Sequence, residues 1–192
     1  MKKKIFISVI FVLICTSAFA RFSIKQEFSA AGYIFTKSID PFTPESNYFK
    51  RQWTPLTTNI ISTMWEFDSG NTEKLFHFSI GSFAGLFTYR FPIGVSFGFN
   101  WKLTEMGSFR LELDTNLKIG PGFNLIHGLY SGVFCMASAD VIWIKARTRR
   151  GIFWGGGIST DHLFSYSYYE KYGHDFFHEY SISPHILVGF KF

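Results

Sequence analysis

Residues 91–120 read "FPIGVSFGFNWKLTEMGSFRLELDTNLKIG", and their alternation decides the fold. Phe91, Ile93, Val95, Phe97, Phe99, Trp101 and Leu103 take one parity, while Pro92, Gly94, Ser96, Gly98, Asn100 and Lys102 take the other. After "TEMG" the scheme resumes. Phe109, Leu111, Leu113, Leu117 and Ile119 share one face, and Arg110, Glu112, Asp114, Asn116 and Lys118 the opposite one. A period of two is the signature of a strand, because successive side chains point to opposite faces. Two such runs around a short polar turn make a hairpin. A soluble sandwich would bury the apolar face and wet the polar one; a membrane barrel turns this inside out, with apolar side chains towards lipid and polar ones inward. Alternation alone fits both.

The two ends of the chain separate these readings. The N-terminus, "MKKKIFISVIFVLICTSAFA", has a basic start, an apolar run from Ile5 to Cys15 and an Ala18-Phe19-Ala20 close. This is the pattern of a secretory signal peptide over 1–20, cleaved before Arg21 to leave 21–192. The apolar run is too short to cross a bilayer as a helix. A lipoprotein signal with Cys15 lipidated is a rival, weakened by Ile14 where a small residue is expected. Cleavage after Ala20 leaves Cys135 as the one cysteine, so no disulfide forms within the chain despite export. Loss of Lys2, Lys3 and Lys4 lowers the net charge from +5 to +2, so the basic balance is no argument for nucleic acid. The C-terminus, "PHILVGFKF", alternates up to its final residue, with Ile186, Val188, Phe190 and Phe192 on one parity. Terminal residues usually fray into water, where an aromatic end has no place. Aromatics make up 20% of the chain against 17% charged residues, and charge is sparse for a soluble protein. No later stretch reaches 18 consecutive apolar residues, which leaves the closed β-barrel as the membrane solution.

The pattern predicts an all-β fold, a closed antiparallel up-and-down transmembrane β-barrel of eight strands. Their approximate spans are 22–36, 56–68, 73–87, 91–103, 108–120, 131–145, 151–164 and 179–192. Connections after strands two, four and six are short and polar; those after strands one and seven are long. Short periplasmic turns and long outer loops are the expected asymmetry, and an even strand count returns both termini to the periplasm. Trp65, Trp101, Trp143 and Trp154 fall at strand ends, as membrane-interface aromatics do.

The signal-like start and the terminal "ISPHILVGFKF" give the mature chain a resemblance to the small eight-stranded outer-membrane proteins, the class of the OmpX, OmpW and OmpA barrels. In that class an alternating C-terminal strand ending on an aromatic is the address read by the outer-membrane assembly machinery. The resemblance implies that Ile186, Val188, Phe190 and Phe192 form such a signal. It also implies an outer-membrane location, with lipid and the assembly machinery as partners. No motif assigns a subfamily.

Eight strands enclose a bore that side chains roughly fill, or one that holds a small ligand. Lys102, Arg110, Glu112, Asp114 and Lys118 are expected to form an inward network of opposite charges, because buried charges must be paired. A hairpin register of Lys102 with Arg110 would set Gly98 opposite Asp114 and Gly94 opposite Lys118. Strand six departs from the pattern: Phe134, Met136 and Ile142 share a face with Ser138 and Asp140. Either the inward parity fails there or one wall of the bore is apolar, which would suit an oily ligand.

The remaining motifs carry weaker chemistry. "SYSYYEKYGHDFFHEYS" is either an extension of strands seven and eight or a surface loop. Tyr166, Tyr168, Tyr169, Tyr172, Phe176 and Phe177 are its candidate binding residues, since Tyr and Ser are common on adaptable binding surfaces; an interface belt is the alternative. His174, Asp175, His178 and Glu179 would collect a metal only on a helix, and alternation argues for strand. Ser159, Asp161 and His162 contain the residue types of a lipid-modifying site, but His162 has the wrong parity to serve Ser159. "FKRQW" offers Lys50 and Arg51 to lipopolysaccharide phosphates from the first long loop. "GGG" at 155–157 lacks the strand-to-helix context of a phosphate loop and relieves crowding in the barrel. The expected role is a surface protein without an enzymatic centre, cofactor or metal. Its outer loops face a host or extracellular ligand above a closed polar lumen. A narrow channel for small or hydrophobic molecules is the alternative, and a lipid-modifying enzyme the third.

Overall fold

The computed structural model describes residues 20–39, 48–67, 76–86, 91–124, 130–169 and 173–192. Eight strands follow in chain order: β1 (Ala20–Ile39), β2 (Tyr48–Phe67), β3 (Phe76–Gly85), β4 (Ile93–Met106), β5 (Phe109–Asn124), β6 (Tyr130–Lys145), β7 (Gly151–Tyr169) and β8 (Gly173–Lys191). Each pairs antiparallel with its sequence neighbours, and β8 returns to β1 to close the ring. The closed antiparallel up-and-down barrel expected from the alternation is the observed fold.

The pattern that predicts the strands also sorts their side chains. Val95, Phe99, Trp101, Phe109, Leu117 and Ile119 stand exposed on the outside. Ser96, Asn100, Arg110, Glu112, Asp114, Asn116 and Lys118 are buried inside. A soluble monomer rarely shows so large a continuous apolar surface. Nor does water normally leave this many charged side chains at the centre of a protein.

Aromatic rings gather in two belts on the outer surface. At the end holding the C-terminus, Phe22 meets Trp65 at 4.7 Å and Phe192 at 5.7 Å, and Trp143 stacks on Trp154 at 4.8 Å. Towards the other end, Tyr33 meets Phe35 at 4.8 Å and Trp53 at 5.4 Å, and Phe35 meets Tyr180 at 5.6 Å. Between them the outward positions are largely aliphatic, including Ile158, Ile182, Ile186 and Val188. Along β8 the belts lie ten residues apart, from Phe190 to Tyr180. A rise of about 3.3 Å per residue and a tilt of about 40° put them about 25 Å apart along the barrel axis, the height of a lipid-facing band.

Several boundaries differ from the sequence expectation. β2 begins at Tyr48 rather than after Pro55, so Lys50 and Arg51 belong to a strand and not to a loop. Proline is tolerated in a strand at an irregularity, and Pro55 pairs with Ala31 next to a register shift. β7 runs on to Tyr169 and β8 starts at Gly173, with Tyr166 opposite Phe176. The Tyr/Ser alternation therefore continues the ladder as a hairpin instead of leaving it. The β4–β5 register is Lys102 to Glu112, Asn100 to Asp114 and Gly98 to Asn116, not the one expected. Two features explain the offset: a tight reversal at Gly107–Ser108 and a bulge between Lys102 and Thr104. Gly107 has φ of 62°, which suits glycine as the first central residue of a two-residue hairpin loop.

The resulting barrel is lopsided. β7, β8, β1 and β2 are contiguous and run 19–20 residues each, whereas β3 has 10 and β4 has 14. The ladder between β2 and β3 starts only at Ile60, so the first part of β2 rises beyond its pairing with β3. One side of the rim, four strands wide, stands taller than the other.

Candidate functional site

The bore is filled by ion pairs arranged in two groups. The first centres on Glu66 and Glu112, at the end where the chain terminates. Glu66 accepts from Arg149 Nη1 at 2.5 Å, Lys191 Nζ at 2.6 Å and Asn100 Nδ2 at 3.2 Å. Glu112 accepts from Arg149 Nε at 2.7 Å and Nη2 at 3.1 Å, and Arg110 Nε lies 2.7 Å from its Oε1. The second group lies deeper. Lys25 Nζ donates to Asp114 at 2.7 Å and sits 3.1 Å from Glu27. Lys118 Nζ reaches both Glu27 carboxylate oxygens at 2.8 Å, and His185 Nε2 lies 2.7 Å from Asp140.

Within this network five cations, Lys25, Arg110, Lys118, Arg149 and Lys191, face five carboxylates, Glu27, Glu66, Glu112, Asp114 and Asp140; Asp161 and Glu179 are further buried carboxylates among the described residues. Isolated ions could not remain charged in so enclosed a space; mutual pairing supplies the compensation that water gives elsewhere. Arg149 comes from the β6–β7 turn, not from a strand. Its φ of 49° is a left-handed conformation uncommon for a residue with a side chain. Its guanidinium folds back under the barrel and bridges two carboxylates, and the side chain is fully buried.

Apolar clusters flank this network. Ile60, Phe83, Phe134, Met136 and Leu163 pack together, as do Ile142, Ile144, Phe153 and Leu187. Strand six thus keeps its inward parity, and one wall of the bore is apolar. Among the described residues the side chains of this wall pack into these two clusters. A cavity of about 20 Å³, bordered by Lys25, Glu66, Asn100, Asp114 and Asn116, remains among the ions. That is room for about one water molecule.

The residues expected to act together are partly gathered. Arg110, Glu112, Asp114 and Lys118 point into the network. Lys102 does not join it: its ammonium pairs with Glu105 at 2.7 Å on a half-exposed edge near the β4–β5 turn. Sequence reasoning missed Lys25, Glu27, Glu66, Arg149, His185 and Lys191, and it noticed Asp140 without joining it to the charges. All but Arg149 were accessible to parity, since each lies on the inward register of its strand. Arg149 carried no periodic signal, because it belongs to a turn.

Ile186, Val188, Phe190 and Phe192 face outward along the closing strand, and the Phe192 N–H donates to the Phe22 carbonyl at 2.8 Å. Phe192 is thereby tied to the ladder beside Phe190 and Phe22. Tyr166, Tyr168, Tyr169, Phe176 and Phe177 fall on the β7 and β8 backbone, with side chains outside the described set; Tyr172 and the segment 1–19 lie outside the described residues altogether. Ser159 and Asp161 point inward, where Ser159 Oγ donates to the Ser183 carbonyl at 3.3 Å and Asp161 accepts from Ser181 Oγ at 2.7 Å. His162 faces outward against His178 and Tyr180, so these three do not assemble as a nucleophilic site. His174, Asp175, His178 and Glu179 lie on a strand, not a helix.

These features define a small closed β-barrel turned inside out, aliphatic and aromatic outside and ion-paired within. Comparison with solved structures finds distant likenesses. Neisserial surface protein A is similar over 89% of this chain and 97% of its own, with TM-score 0.43 and 8% identity. The outer membrane protease OmpT of Escherichia coli is similar over 90% and 97%, with TM-score 0.31 and 6% identity. The InvG secretin β-barrel of Salmonella is similar over 96% and 67%, with TM-score 0.24 and 5% identity. No protein-family model and no curated protein matches the chain.

Proposed function

We propose that this chain is an outer-membrane barrel of a diderm bacterium that presents a binding rim and does not conduct. The dense ion-pair network, with a cavity of only about 20 Å³ among its ions, carries this reading. A pore needs a continuous wet path with weak, successive sites. Here each cation of the bore is engaged by a carboxylate, and packed apolar side chains flank the ions. The belts about 25 Å apart favour a bilayer as the surrounding medium. Residues 1–20 act as the signal peptide, both termini face the periplasm, and Ile186, Val188, Phe190 and Phe192 address the assembly machinery. The tall wall of β7, β8, β1 and β2 rises on the outer side. Its tip, with Tyr166, Tyr168, Tyr169, Tyr172, Phe176 and Phe177, contacts a host or extracellular ligand. Aromatic side chains suit binding because they give large contact area at low entropic cost.

The test is conductance. Purified mature protein placed in planar bilayers is expected to show no steady single-channel steps, and Glu66→Ala and Glu112→Ala variants are compared alongside it. Reproducible steps from the unaltered protein would sink the closed-lumen reading and favour the narrow channel.

A further inference from the structure

The wall between β1 and β8 is interrupted. Phe28 pairs with Ile186 and Tyr33 with Ile182, but between them four β1 residues, Ser29–Gly32, face only three of β8, Ser183–His185. The β1–β2 ladder shifts at the same place, between Ser29 and Ala31. A break in a lipid-facing ladder is costly, because freed backbone groups find no water there. At this one a side chain reaches the irregular backbone: Ser29 Oγ donates to the Ala31 carbonyl at 2.8 Å. Pro184 brings no N–H to leave unpaired.

Outside the break lies a notch of about 440 Å³. Phe28, Trp53 and Ile186 line it together with the small or rigid Ala30, Ala31 and Pro184. This volume falls within the range of small-molecule pockets, about 300–1,000 Å³. His185 also borders it, but its imidazole turns inward to Asp140, so the notch offers little polar recognition. Its position decides the occupant. It opens on the outer surface just inside the belt of Tyr33 and Trp53, with Trp53 on its edge, beside the outward Phe28, Ile182 and Ile186. In a bilayer the medium at that depth is hydrocarbon.

We propose that this notch holds an acyl chain of a membrane lipid, as a discrete site on the barrel wall. The proposal rests on the bilayer placement but not on a closed lumen, so the conductance test leaves it standing either way. Two small residues at its base make the site easy to fill without touching the bore. Ala31→Trp and the milder Ala30→Leu occupy it, while Val133→Trp, on β6 elsewhere on the lipid face, leaves it open. Heat-modifiable gel migration first selects variants that fold. Folded proteins in detergent are then titrated with phosphatidylethanolamine and followed by native mass spectrometry.

The unaltered protein and Val133→Trp are expected to carry one phosphatidylethanolamine at low lipid ratio, and the notch-filled variants to need at least about tenfold more lipid for the same occupancy. Equal occupancy in filled and open forms overturns the site, and so does equal loss in Val133→Trp. Uptake of oleate without phospholipid would also overturn it, since it would assign the notch to free fatty acid. If only Ala30→Leu folds, its titration alone decides between these outcomes.

Discussion

At the scale of single residues, the two kinds of charge in this barrel should behave differently. Glu66 is buried and receives Arg149, Lys191 and Asn100 at once. Glu66→Ala takes the carboxylate from Lys191 and leaves Arg149 with Glu112 alone, and breaking a buried pair costs about 3–5 kcal/mol. Urea unfolding of the refolded barrel in detergent or lipid should show that loss as a lower midpoint. Lys102 pairs with Glu105 at the exposed edge of the hairpin, where water solvates both partners. Lys102→Ala should leave the midpoint unmoved, because exposed pairs are screened. An equal loss in both variants would mean that the interior is wet. Arg149→Met combined with Glu66→Ala removes one charge of each sign. The double variant should lose less than the sum of its single losses, since neighbouring sites that share a partner are not additive.

At the scale of elements, alternation made most of this barrel legible, and its failures have local causes. The inward parity of β5 placed Arg110, Glu112, Asp114 and Lys118, and that of β6 placed Phe134 and Asp140 on one inner face. Parity says nothing about register across a turn. The Gly107–Ser108 reversal and the bulge after Lys102 shifted every pair of the β4–β5 hairpin while leaving each side chain on its expected face. Pro55 read as a strand boundary because proline donates no ladder bond, yet the irregularity at Ala31 accommodates it. Arg149 could not be read at all, because a turn residue reaches the bore by a conformation that no periodicity encodes. Two expectations belong to this scale. Deleting Phe192 should block insertion in cells, seen as loss of heat-modifiable protein in outer-membrane fractions. It should shift the stability of the barrel refolded in vitro by only about 1 kcal/mol, the worth of its aromatic contacts with Phe22 and Phe190. Normal insertion of the deletion variant would take the assembly role away from the C-terminus. Likewise, joining Tyr166 to its partner Phe176 through Asn-Gly removes the tip of the β7–β8 hairpin without disturbing the register below. The shortened barrel should fold and lose adhesion to host cells or matrix; retained adhesion would move the binding surface elsewhere.

At the scale of the whole molecule, the proposed membrane placement makes the fold a compromise between a closed ring and a bilayer of fixed thickness. Closure pairs β1 with β8 along most of their length, interrupted at Ser29–Gly32, while the β2–β3 ladder begins only at Ile60. The outer surface then matches hydrocarbon only between Phe22, Trp65 and Phe192 at one end and Tyr33, Trp53 and Tyr180 at the other. That separation, about 25 Å, is shorter than the hydrocarbon core of a typical bilayer at about 30 Å. A barrel cannot lengthen its apolar band by tilting as a single helix can, since its strands are already tilted and locked in register. The bilayer must thin instead, at a cost of fractions of a kcal/mol per Å of mismatch. The mature protein should therefore refold most completely into vesicles of short-chain phosphatidylcholine, with yield and urea midpoint falling as the acyl chains lengthen. The tall wall of β7, β8, β1 and β2 should not extend the preferred thickness, because its excess length lies beyond the Tyr33 and Tyr180 belt. Removing the hairpin tip between Tyr166 and Phe176 should accordingly leave the thickness optimum in place. An optimum that moves with the tip, or a yield indifferent to chain length, would show that the two belts do not mark the membrane boundaries.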